Sequence, residues 1–133
     1  MPRTILVTGA AGFVGTHLLK SLLSETPTPR VIGWKRPHPN TDEASHRVRK
    51  DASIEWHDID LLESKDVINA ITEVRPTEVF HCAGIASVAD SPANTAQTLA
   101  VNVLGTRHLM QGLKQLNTSS RVLVPGSATV YRP

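Results

Sequence analysis

Three glycines carry the clearest chemistry in this chain. Gly9, Gly12 and Gly15 are spaced G-x-x-G-x-x-G within TGAAGFVG, residues 8–15. A short apolar run, Thr4–Val7, precedes them, and a helix-periodic stretch, Phe13–Leu23, follows. A glycine turn between a strand and a helix suits a pyrophosphate. Gly9 permits unusual backbone angles. Gly12 lets the backbone approach an anion with no Cβ in the way, and Gly15 lets the helix lie close to the sheet. The free N–H groups of the helix start, at Phe13 and Val14, then face the anion, helped by the helix dipole. The alternative is a tight turn with no ligand.

The remaining sequence supplies the elements that hold this turn in place. Pro27 and Pro29 end the first helix, since neither can continue it. Val31–Trp34 reads as a second strand, and residues 35–52 as a polar surface loop. Ile54–Ile59 is a third strand. Ser64–Val74 is an amphipathic helix carrying Val67, Ile68, Ile71 and Val74. Glu78–Cys82 is a fourth strand and Arg121–Val124 a fifth. Between them Ala93–Leu116 reads as one long helix, with Leu99, Val103, Thr106, Met110 and Leu113 near one stripe. This alternation predicts an α/β fold, a doubly wound parallel sheet of the Rossmann type with about five strands. A length of 133 residues allows one domain. Ligands of such sheets bind beyond the carboxyl ends of the strands.

Composition narrows the function. Hydrophobic residues make up 40% and charged residues 20% of the chain, as in soluble globular proteins. A net charge of +2 is too weak to argue for nucleic acid. The basic run around His46, Arg47, Arg49 and Lys50 lacks the interleaved aromatics that stack bases. Cys82 is the only cysteine, so no internal disulfide forms, and at the end of a buried strand it reads as a small apolar filler. No pair of the six histidines has zinc-ligand spacing, so no metal site is expected. The N-terminus lacks the form of a signal peptide. No apolar stretch approaches the roughly 20 residues of a membrane span. A cytoplasmic protein is expected.

Five stretches, in order, carry a resemblance: TGAAGFVG, HDIDLLESKDV, FHCAG, NVLGT and SATVY. Together they resemble the extended short-chain dehydrogenase/reductase family, the NAD-dependent epimerases and dehydratases of nucleotide sugars. The resemblance covers the whole chain. It implies hydride transfer through a nicotinamide cofactor. It implies Asp60 and Leu61 at the adenine end of that cofactor, and Cys82, Ala83 and Gly84 along its length. A cap for the following helix is the alternative role for Asp60, and the resemblance favours the adenine one. Asn102 resembles the family residue that holds the active-site geometry, and could be a backbone hydrogen-bond partner. Ser87 lies where these enzymes begin to meet substrate, and Ser127 matches the catalytic Ser or Thr position.

The end of the second strand, Gly33-Trp34-Lys35-Arg36-Pro37, bears on cofactor choice. A carboxylate here selects NAD by accepting from the ribose 2′-hydroxyl. Lys35 and Arg36 instead suit a 2′-phosphate, which a guanidinium grips with charge-assisted hydrogen bonds. NADP(H) is therefore expected in preference to NAD(H), which stays possible. The alternative is that the two cations merely begin a solvated loop. Arg36 resembles the arginine of GDP-mannose 4,6-dehydratases and GDP-6-deoxy-mannose reductases, the branch most similar here. UDP-glucose 4-epimerases share SATVY but normally carry an acidic residue at this strand end.

The family's chemistry needs a tyrosine with a lysine four positions later, the cation tuning the phenol for proton transfer. The single tyrosine, Tyr131, matches the strand-end tyrosine, not the catalytic one. Arg132 stands where relatives commonly have glycine. Residues 1–133 are thus expected to be the N-terminal, cofactor-binding part of a longer nucleotide-sugar enzyme. They would lack the C-terminal substrate region, be inactive alone, and could form a homodimer. The alternative is a non-catalytic NADP(H)-binding module or redox-responsive partner protein.

Overall fold

The computed structural model describes residues 2–37, 51–85, 92–127 and Tyr131. In chain order the elements are β1 (Thr4–Thr8), α1 (Phe13–Leu23), β2 (Arg30–Lys35), β3 (Ile54–Asp58), α2 (Ser64–Val74) and β4 (Glu78–His81). They continue with α3 (Pro92–Leu99), a π-helical stretch (Ala100–Gly105), α4 (Thr106–Gln115) and β5 (Arg121–Leu123). The five strands pair in parallel in the order β3-β2-β1-β4-β5. Strand order reverses between β1 and β4, which is where an open α/β sheet forms its ligand crevice.

β1 is the central strand, and Ile5, Leu6 and Val7 are fully buried. A continuous apolar run is what a strand covered on both faces requires. Side chains alternate between two clusters because strand periodicity is two. Leu6, Ile32, Trp34 and Val79 join Val67 and Ile71 of α2 and Leu109 and Leu113 of α4. Ile5, Val7, Val31 and Ile54 join Leu19 and Leu22 of α1 on the other face. α2 ends at Arg75, in the left-handed region at φ 48°, whose N–H donates to the Ile71 carbonyl at 2.8 Å. Pro76 follows and prevents the helix from continuing.

The long helix departs from its sequence pattern. It divides into α3, the π-helical stretch and α4. Leu99, Val103 and Met110, expected on the inward stripe, are exposed, while Leu109, Gly112, Leu113 and Leu116 face the core. The inward face also carries small residues. A Cβ on Gly112 would lie 2.7 Å from Ile71 Cδ1, and one on Gly105 would lie 3.0 Å from Leu61 Cβ. The apolar stripe of α4 is Leu109, Leu113 and Leu116, one turn-face away from the expected one, and the two glycines set how closely the helix approaches. Among the described residues no helix is long and apolar enough to cross a membrane.

Ion pairs tie the amino ends of the strands. Glu78 accepts from Arg3 at 2.7 Å and from Arg121 at 3.1 Å, and Arg3 also pairs with Glu25. Arg30 holds Glu55 at 2.7 Å. The Arg3 guanidinium, bonded directly to Glu78 and supported by Arg121, holds that carboxyl below the usual range. A depressed carboxyl stabilises the fold above its unfolded pKa, and that contribution is lost as pH falls through the folded value. The melting temperature of Glu78→Gln is therefore expected to lie below wild type at neutral pH, the gap closing on acidification. Parallel melting curves with a constant gap down to pH 3 would contradict this.

Candidate functional site at the carboxyl edge of the sheet

Gly9 leaves β1 with φ 63°, a conformation that side chains resist. Space as well as φ demands glycine here. A Cβ on Gly9 would lie 2.6 Å from the Ala83 nitrogen, so the turn after β1 touches the turn after β4. A Cβ on Gly15 would lie 2.3 Å from the Gly9 carbonyl oxygen. Two backbone bonds then close the loop: Ala10 donates to Trp34 and Gly12 to Gly9, each at 3.0 Å. α1 begins with no side-chain cap and no acidic residue in its first turn. Its early N–H groups therefore keep their donor capacity for something outside the helix. A Cβ on Gly12 would meet only the Gly9 oxygen, at 3.2 Å, with open space beyond. Phe13 and Val14, which open α1, are both exposed. The donor set, the missing acidic cap and the vacant space at Gly12 fit a diphosphate.

β2 delivers Lys35 and Arg36 to the same edge. They differ in their surroundings. Lys35 is paired with Asp58 at the end of β3. Arg36 is exposed and has no partner among the described residues. Two residues beyond β3, Asp60 Oδ1 accepts from the Leu62 N–H at 2.9 Å, and the Asp60 carbonyl from the Glu63 N–H at 3.0 Å. Asp60 thus closes the turn before α2 and is not the helix cap, which is Glu63, with no side-chain capping bond. The Leu61 side chain is buried in the core, and its carbonyl is held by His108 Nδ1 at 2.8 Å. Any ligand contact from Leu61 would come from its backbone.

The turn after β4 carries Cys82, Ala83 and Gly84. Burial pushes the Cys82 thiol up, so it stays protonated and behaves as a filler. Asn102, within the π-helical stretch, accepts from the Ile85 N–H at 2.8 Å and donates to its carbonyl at 3.0 Å. The backbone-partner reading of Asn102 is thereby specified: it pairs with Ile85 as a neighbouring strand would. Thr8, His81 and Thr106 form a polar chain beneath this turn. Sequence reading set Thr106 on the helix stripe and gave His81 no role. The only local signal was a histidine in a strand that alternation would bury. Ser127 lies exposed beyond β5, and Tyr131 is exposed. Ser87 lies outside the described residues. The other expected site residues stand at the carboxyl ends of the strands, on the turns that follow them or, for Phe13, Val14 and Gly15, in the first turn of α1.

The model of the NAD dependent epimerase/dehydratase family matches residues 5–133. The bifunctional UDP-glucose 4-epimerase and UDP-xylose 4-epimerase 3 of Arabidopsis thaliana is 32% identical over 97% of this chain and 38% of its own length. The GDP-6-deoxy-D-mannose reductase of Pseudomonas aeruginosa is 33% identical over 98% of this chain and 36% of its own. The crystal structure of the Thermus thermophilus UDP-glucose 4-epimerase in complex with NAD superposes with a TM-score of 0.69 at 30% identity. That match covers 84% of this chain and 34% of the other. The chain therefore spans little more than a third of the length of these relatives.

Proposed function

The chain belongs to the NAD dependent epimerase/dehydratase family, and on that premise we propose that residues 1–133 form the dinucleotide-binding domain of a longer nucleotide-sugar enzyme. The observation that carries this reading is the glycine turn leading into an uncapped helix start. Gly9, Gly12, Gly15 and the N–H groups of Phe13 and Val14 would hold the diphosphate. Asp60, Leu61, Cys82, Ala83 and Gly84 would line the adenine and nicotinamide halves. Bound there, the cofactor supplies hydride exchange with a sugar carbon. Ser127 would hydrogen-bond the reacting hydroxyl, and Ser87 would meet the sugar nucleotide. Similarity to both a UDP-sugar epimerase and a GDP-sugar reductase supports a nucleotide sugar without choosing the base.

The preferred dinucleotide in this reading is NADP(H). Arg36 is the uncommitted cation at the end of β2, and Lys35 is already neutralised by Asp58. The exposed apolar side chains Leu99, Val103 and Met110 would support a homodimer. No Tyr-x-x-x-Lys occurs within residues 1–133.

The test is a titration of the 133-residue chain, following emission from Trp34 and Trp56. NADPH is expected to bind about 30-fold more tightly than NADH, the scale of hydrogen bonds to a charged group. Equal affinities would remove the NADP(H) preference, and no binding of either would remove the dinucleotide reading. Incubated with NADP+ and UDP- or GDP-sugars, the same chain is expected to give no turnover. Measurable product would show that the missing Tyr-x-x-x-Lys pair is not required.

A further inference from the structure

His81 ends β4 directly opposite Thr8 of β1 in the strand register. It is 4% exposed, and Thr8 is fully buried. Its Nδ1 lies 2.7 Å from Thr8 Oγ1, and its Nε2 lies 2.9 Å from Thr106 Oγ1. The neighbours settle where the protons are. Thr106 Oγ1 donates its single proton to the Asn102 carbonyl at 2.7 Å. It can then only accept from His81, so Nε2 carries the ring proton. Nδ1 is left as an acceptor, and Thr8 Oγ1 must donate to it. Thr8 Oγ1 in turn accepts the Ala83 N–H at 3.1 Å. One unbroken chain of donors results, from Ala83 through Thr8 and His81 to Thr106 and Asn102. A second proton on the ring would face the Thr8 hydroxyl and force it to turn away from its present role.

The chain connects three parts of the site. Thr8 immediately precedes Gly9. Ala83 is the backbone against which Gly9 packs. Asn102 clamps Ile85, two residues further on. We propose that His81 is a positioning residue that, as the neutral Nε2–H tautomer, sets the separation between the glycine turn and the turn after β4. It touches no ligand and acts through Thr8, Ala83 and Asn102. Its effect on dinucleotide affinity rests on the function proposed above; the positioning does not. Burial alone pushes the imidazole down from its ordinary value. Threonine hydroxyls face it from β1 and α4, and its titratable chain neighbour, the Cys82 thiol, is itself kept neutral.

The experiment uses the 133-residue chain and nuclear magnetic resonance. His81 ring nitrogens, assigned by loss of signal in His81→Gln, are expected to show the Nε2–H tautomer at neutral pH and to titrate below the ordinary imidazole range. An Nδ1–H tautomer, or titration near pH 6.5, would overturn the proposal. Amide exchange supplies the functional arm, with Ile5 and Leu6 as internal controls for the intact sheet. In His81→Phe, the Ala83 and Ile85 amides should exchange at least tenfold faster while the controls hold. His81→Gln, which keeps one donor and one acceptor, should recover most of that protection. Ala83 and Ile85 protected alike in wild type and His81→Phe would overturn it. Should His81→Phe fail to fold, the tautomer and the Gln variant decide. NADPH titration of the same proteins is read separately: wild type that binds no dinucleotide removes the functional reading, and the exchange data still judge His81.

Discussion

Gly15→Ala is expected to destabilise the fold by about 3 kcal/mol, the upper end of the cost of forcing atoms into a packed site. Helix propensity alone would give the opposite sign, since alanine in a helix interior is worth about 1 kcal/mol over glycine. The contact decides. The new Cβ would sit 2.3 Å from the Gly9 carbonyl oxygen and 2.7 Å from Ala10 Cα. Both are backbone atoms, so no rotamer change relieves the clash. α1 must move off the sheet, and the turn that Gly9 packs against Ala83 must move with it. The melting temperature should fall by roughly 10 °C, with NADPH binding lost at temperatures where the variant is still folded. Gly12→Ala is the matched control. Its Cβ meets one atom at 3.2 Å, and its φ of −78° suits any residue. It should cost under about 1 kcal/mol, as at other helix caps, yet weaken dinucleotide binding by at least tenfold through steric exclusion. A Gly15→Ala protein melting at or above wild type would show that α1 packs differently. A Gly12→Ala protein binding normally would show that no diphosphate lies over that turn.

Arg36→Ala should lower NADPH affinity about 30-fold, corresponding to about 2 kcal/mol for hydrogen bonds to a charged group. NADH affinity should hardly change. The size of the effect depends on Lys35 being unable to substitute. Lys35 is bound to Asp58 across the β2–β3 pair, and a carboxylate beside it opposes a second anion. Asp58→Asn should therefore tighten NADPH several-fold by releasing Lys35. Both variants are read in the same fluorescence titration at one fixed ionic strength, because exposed charges are screened by salt. An equal loss for NADPH and NADH in Arg36→Ala would place Arg36 away from the 2′ position. A weaker NADPH affinity in Asp58→Asn would mean that the Lys35–Asp58 pair orders the strand ends more than it masks a charge.

Local pattern was enough for much of this protein. Short runs flanked by turn residues located the strands of the described sheet, most clearly β1 and β2, where burial on both faces puts the signal in consecutive residues. The glycine turn was legible for the same reason. Its φ and close-contact demands fall on residues within one short stretch, and Gly9 and Gly15 meet them there. Strand ends shifted by only a residue or so, as with Ile54–Asp58 and Arg121–Leu123.

What local pattern could not hold was any property made by partners distant in sequence. The order β3-β2-β1-β4-β5 depends on which strands meet. Only resemblance separated Arg36 from Lys35, until Asp58, 23 residues beyond Lys35, claimed that lysine. His81 had no legible role because its partners lie 73 and 25 residues away. The long helix misled for a related reason. An apolar stripe at 3.6-residue spacing assumes a regular helix packed through large side chains. This one contains a π-helical stretch, buries Leu109, Leu113 and Leu116 in place of the expected stripe, and makes its closest approaches at Gly105 and Gly112. Sequence alone determined the elements and the glycine turn, since backbone propensity and periodicity act locally. Tertiary structure alone decided which charges stay free and which polar groups are joined, since those depend on distances between segments.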